Sequence, residues 1–123
     1  MIGYVTLGTK DLKKAAEFYD KIVAEMGMGY FMEPDTFIAW GSAGGGAGLG
    51  LTKPFDGKPM SVGNGVMVAL AAKDKAQVDR IYKLALSLGG NDEGPPDPRG
   101  EGGSYAAYFR DPEGNKLHAF VIG

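Results

Sequence analysis

The chain repeats itself at an offset of 63 positions, and that repeat limits its architecture more than any other feature. The segment Tyr4-Val5-Thr6-Leu7 is apolar-alternating, as a half-buried strand should be. After a short polar break, Leu12, Ala15, Phe18 or Tyr19, Ile22 and Met26 recur at helical spacing. Asp11 suits the N-cap, where its carboxylate can accept unpaired N–H groups of the first turn, and Gly27 suits the helix end. Moving on by 63 positions, Val68 matches Val5, Leu70 matches Leu7, Asp74 matches Asp11, Ile81 matches Phe18, Tyr82 matches Tyr19 and Gly90 matches Gly27. The second helix again starts at an aspartate, with Gln77 in capping-box spacing. Its apolar stripe is Val78, Ile81, Leu84 or Ala85, and Leu88. Two unrelated βα units would explain part of this matching; a duplicated module explains all of it.

Short strands follow each helix. In the first half they are predicted at about 29–33, 36–41 and 48–52, with Pro34-Asp35 as a turn. In the second half a weak strand near 90–93 precedes stronger ones at 105–110 and 116–122. Between the last two lies Asp111-Pro112-Glu113-Gly114-Asn115. Asp at the first turn position, Pro at the second and Gly at the fourth mark a hairpin. The prediction is an α+β fold of two tandem βαβββ modules in a single domain, 1–123. Module one spans about 1–53, a linker with Pro54 and Pro59 about 54–63, and module two about 64–123. The segment 94–103, with Pro95, Pro96 and Pro98, reads as a long loop, of the kind that often covers a binding site.

Composition narrows the functional classes. A formal net charge of −2 without a basic run argues against nucleic acid as a partner. The chain has no cysteine, which excludes disulfides, thiolate metal sites and a cysteine nucleophile. No apolar run approaches the ~20 residues of a spanning helix. The N-terminus enters a strand without the layout of a signal peptide. The expectation is a soluble cytoplasmic protein with no membrane partner.

The segment Phe18-Tyr19-Asp20, and above all Phe109-Arg110-Asp111-Pro112-Glu113-Gly114-Asn115, resemble signature segments of the vicinal-oxygen-chelate superfamily. This is the group of glyoxalases, bleomycin resistance proteins and extradiol dioxygenases. The resemblance covers essentially the whole chain. It implies that the two modules curl into a half-open barrel around a small-molecule site. It also implies a divalent metal held by His and Glu side chains from the first and last strand of each module. Carried over residue by residue, those positions are Tyr4, Gly50, Met67 and His118. Glycine has no side chain, methionine offers a soft thioether and tyrosine is an uncommon ligand, so only His118 suits such an ion. No second histidine exists, and nothing in the spacing of Glu33 or Glu101 recommends them. The expectation is no metal and no cofactor.

Strand alternation sorts the remaining side chains. With Val5, Leu7, Val68 and Leu70 under the helices, Tyr4, Thr6, Met67 and Ala69 face the other way. His118 and Phe120 share a face of the last strand, opposite Leu117, Ala119 and Val121. The expected ligand-binding set is Tyr4, Thr6, Trp40, Met67, Tyr105, Tyr108, His118 and Phe120, mostly aromatic with few polar groups. His118 is the candidate catalytic residue, as a general acid or base; the alternative, which the lack of an orienting carboxylate in the sequence favours, is a cavity-lining histidine hydrogen-bonded to a neighbouring Tyr hydroxyl or backbone group. The glycine-rich run 44–50 lacks the spacing of a phosphate loop and reads as a flexible β-turn. Arg99 is available to an anionic ligand, although solvated loop arginines are common.

Two functional classes stay open. One is a small-molecule binder without the usual metal, similar to the antibiotic-binding branch of the superfamily. The other is a glyoxalase-like or dioxygenase-like enzyme with an atypical ligand set. The resemblance and the exposed strand edges also imply a homodimer.

Overall fold

The computed structural model describes residues 1–32, 35–42, 45–100 and 102–122. Glu33, Pro34, Gly44 and Glu101, named above in a turn, a glycine run and a carboxylate pair, lie outside them. The chain divides into two units, Met1–Val62 and Gly63–Gly123. The first contains β1 (Tyr4–Gly8), α1 (Leu12–Glu25), β2 (Gly29–Met32), β3 (Phe37–Gly41) and β4 (Gly48–Thr52). The second contains β5 (Val68–Ala71), α2 (Lys75–Ser87), β6 (Asn91–Arg99), β7 (Ser104–Arg110) and β8 (Lys116–Ile122). The predicted α+β arrangement of two βαβββ modules is the one observed.

Each unit has one four-stranded sheet, in the order β1-β4-β3-β2 or β5-β8-β7-β6. The first strand of each unit runs parallel to its last, and the other pairs are antiparallel. Neither sheet closes on itself: β1 and β2 are the edges of one, β5 and β6 of the other. Helix α1 buries Phe18, Tyr19, Ile22 and Val23, and α2 buries Val78, Ile81 and Ala85, each against strands of its own sheet. Fully burying such a side chain stabilises the fold by roughly 1.5–3 kcal/mol. One face of each sheet is therefore spent on its helix. Among the described residues no helix is long and apolar enough to cross a membrane.

The helix ends repeat as closely as the strands. Asp11 accepts from Lys14 N at 3.2 Å and Asp74 from Gln77 N at 2.8 Å. Gln77 reaches back to Lys73 N, one residue earlier than a capping box requires. At the other end Met28 N bonds Val23 O and Gly27 N bonds Ala24 O; Gly90 N bonds Ala85 O and Gly89 N bonds Leu86 O. Both are Schellman closures. Helix α2 is one residue shorter than α1, so the left-handed cap is Gly89 (φ 94°) and not Gly90. Gly90 has a different constraint: a Cβ there would lie 2.7 Å from Ala85 O and 2.8 Å from Arg110 O.

The proline-rich segment 94–103, predicted as a loop, is largely strand. β6 runs to Arg99 and pairs with β7 through Asp97↔Ala106, Pro98↔Tyr105 and Arg99↔Ser104. Proline lacks a donor but has an extended-compatible φ, so an edge strand tolerates it. Pro95 and Pro96 also fall inside a register shift between Gly94 and Asp97, where the ladder asks nothing of them.

Candidate functional site

In the second unit, the sheet face away from α2 is built by three strands in register. Tyr108 pairs with His118, His118 with Ala69, and Phe120 with Ala106 and Ala71. Leu117, Ala119, Ala107 and Phe109, of opposite parity, are fully buried on the helix side. The His118 ring meets Tyr108 edge-on at 4.7 Å and Phe120 at 5.2 Å. The sequence reading thus placed Tyr108, His118 and Phe120 together, and they are together. It did not bring Lys116 or Arg99 to them. The Lys116 ammonium lies 5.5 Å from the Tyr108 ring centroid and the Arg99 guanidinium 5.2 Å. Lys116 shares strand parity with His118, a signal that was legible. Arg99 depends on the shifted register of β6. Gly94 (φ 149°) makes room for it, because a Cβ there would come within 3.2 Å of Arg99 Nη2.

In the first unit, the corresponding face is nearly bare. Tyr4 pairs with Gly48, Thr6 with Gly50, Ala39 with Gly50 and Gly29 with Gly41. Tyr4 is 55% exposed and its ring tilts against Phe37 at 5.9 Å. Beside it a shallow cavity of about 400 Å3 is floored by glycine backbone and walled by Tyr4 and Ser42. Phe37 was missed, although it follows from alternation once the side of Trp40, three residues on, is known.

Two expected ligand-binding residues lie on the other side of their sheets. Trp40 is fully buried, stacks on Tyr19 of α1 and Tyr30, and donates its indole N–H to Asp20 at 2.7 Å. Asp20 also accepts from the Tyr30 hydroxyl at 2.9 Å. Phe18-Tyr19-Asp20 therefore serves the core of its own unit, and Trp40 offers no surface to a ligand. Tyr105 points toward α2, where its hydroxyl donates to Asp79 at 2.6 Å and Lys75 sits over its ring. That bond pushes the Tyr105 hydroxyl further above the ordinary phenol range. Met67 precedes β5 and is 40% exposed, and Thr6 is exposed.

The four positions that the resemblance assigns to a metal do not fit one. Gly50 lacks a side chain, and the space one would need is filled: a Cβ there would lie 2.8 Å from Phe37 Cε2 and 3.3 Å from Thr6 Cγ2. Tyr4 and Met67 are poor ligands for a divalent ion. Among the described residues no group of three or more His, Asp or Glu side chains could hold one.

His118 has the residue type for proton transfer without the partner for it. Its Nδ1 is buried with no hydrogen-bond partner among the described residues. Burial, and secondarily the Lys116 charge, push its pKa below the ordinary 6.5. The unfolded chain thus takes up this proton more readily than the folded one. Stability from this group is present above about pH 6.5 and lost as pH falls through the folded value. The thermal midpoint should decline from about pH 7 to 5, and His118→Gln should flatten that decline. Equal slopes in both proteins would remove His118 as the cause.

A family model described as the Glyoxalase/Bleomycin resistance protein/Dioxygenase superfamily matches residues 1–119. A solved glyoxalase/bleomycin resistance protein from Albidiferax ferrireducens is 32% identical over 98% of each chain, with a TM-score of 0.88. A family enzyme from Burkholderia phytofirmans shares the fold at 17% identity, 98% coverage of each chain and a TM-score of 0.78. So does a lactoylglutathione lyase from Agrobacterium tumefaciens, at 24% identity, 98% coverage of this chain and 92% of that one, and a TM-score of 0.70. No curated protein matches.

Proposed function

The chain belongs to the glyoxalase/bleomycin resistance protein/dioxygenase superfamily, and on that premise we propose that it binds a small organic molecule without the chelated metal of the family's enzymes. The observation that carries this reading is the Phe37 ring over Gly50. It puts an apolar side chain where a ligand would stand, and leaves His118 as the single good donor of four. The aromatic face of Tyr108, His118 and Phe120 supports a site for an apolar body. His118 is a lining residue of that site, since its buried Nδ1 has no orienting carboxylate among the described residues.

Elemental analysis of protein purified without chelator tests the reading. Substoichiometric Zn, Ni, Mn and Fe are expected. A full equivalent of any of them, lost in His118→Ala, would overturn the proposal in favour of an enzyme with an atypical metal site. The reading includes self-association to a homodimer, supported by the open edges β1 and β5 and by exposed Ile2, Tyr4, Val66 and Met67 at or beside them. Sedimentation at micromolar concentration should show a dimer; a monomer would remove that part.

A further inference from the structure

We infer that the second unit holds the acidic group of a carboxylate ligand between Arg99 and Lys116, beside the Tyr108 ring; this deepens the small-molecule reading and rests on it. Two cations approach one aromatic ring, at 5.2 and 5.5 Å from its centroid. The ring quadrupole attracts each, but it does not cancel two like charges. Among the described residues neither cation is ion-paired. Arg99 Nε donates to Ala106 O and Nη2 to Pro95 O, both neutral carbonyls. Those bonds fix the guanidinium plane and leave its charge and its Nη1 donors uncommitted. The contrast is Arg110 on the same sheet, whose Nε is paired with Glu93.

Glu93 feels the Lys116 charge, which helps to hold it below the ordinary carboxylate range, but its hydrogen bond to Arg110 is the larger cause. The Glu93 side chain is thus already engaged. Burial disfavours the charged form of His118. Asp97, paired with Ala106 on the same sheet face, is ion-paired with neither cation among the described residues, so Arg99 and Lys116 stand as unpaired charges beside an aromatic floor of Tyr108, His118 and Phe120. A planar carboxylate matches the Arg99 fork and gains from the Lys116 charge, while an attached apolar body covers the rings.

Benzoate and benzamide, alike in shape and different in charge, test the inference at neutral pH. Ring-proton NMR signals of His118 and Tyr108 locate and quantify binding. Benzoate should bind about tenfold more tightly than benzamide, and Lys116→Gln or Arg99→Gln should remove most of that difference, chiefly by weakening benzoate. Among the described residues Lys116 makes no hydrogen bond or ion pair to β6, so its variant keeps the test decisive where Arg99→Gln disturbs the strand. Equal affinity of the two probes at these signals overturns the acid preference and leaves the small-molecule site standing. If neither probe moves the His118 and Tyr108 signals, the inference falls together with the small-molecule reading.

Discussion

Replacing Asp111 by alanine is expected to lower the stability of the protein by about 3 kcal/mol, the sum of three hydrogen bonds at roughly 1 kcal/mol each. The side chain is 3% exposed. Its Oδ1 accepts from Glu113 N and Asn115 N, and its Oδ2 from Asn115 Nδ2, all at 2.9 Å. The backbone closes around the same residue, with Gly114 N bonding Asp111 O and Asp111 N bonding Asn115 O. Alanine would leave two backbone donors and one amide donor, part of them buried, with no replacement acceptor. Asp111→Asn keeps one acceptor oxygen but points a donor at the Asn115 amide, so its loss should be intermediate. Urea unfolding with an unchanged denaturant slope is the measurement. A loss under 1 kcal/mol for Asp111→Ala would mean that water satisfies the turn and that the motif is not what holds β7 to β8.

That hairpin was legible in the sequence because everything it needs lies within five consecutive residues, Asp111 to Asn115. The helix caps at Asp11 and Asp74 were legible for the same reason. Features set by distant parts of the chain were not. Three prolines in 94–103 signal a loop unless β6 is known to be an edge strand, and edge position depends on which strands pair. Trp40 and Tyr105 were placed on the wrong faces because an aromatic side chain suits a ligand pocket and a helix-facing core equally well. Only the pairing of β3 with β4 and of β7 with β8 fixes their parity. The grouping of Tyr108, His118 and Phe120 needed only alternation along β8 and one antiparallel neighbour. Arg99 needed two register shifts that no local signal announces.

Gly50→Glu, the substitution that would restore a family-type donor, should destabilise the protein by about 2 kcal/mol, within the 1–3 kcal/mol typical of overpacking. The new Cβ would begin 2.8 Å from Phe37 Cε2 and 3.1 Å from Cζ, closer than carbon atoms tolerate. The ring has to move, and its contact with Tyr4 at 5.9 Å moves with it. If the ring is the obstacle, Phe37→Ala should relieve the strain, and the double variant should be more stable than the sum of the single effects by at least about 1 kcal/mol. Chemical denaturation of the four proteins completes the cycle. Additive effects would show that Gly50 is constrained by backbone or by Thr6, whose Cγ2 is 3.3 Å from the same point. A coupled result would assign the missing donor to a packing choice: Phe37 occupies the space, so glycine at position 50 is required by the aromatic side chain and is not merely a lost ligand.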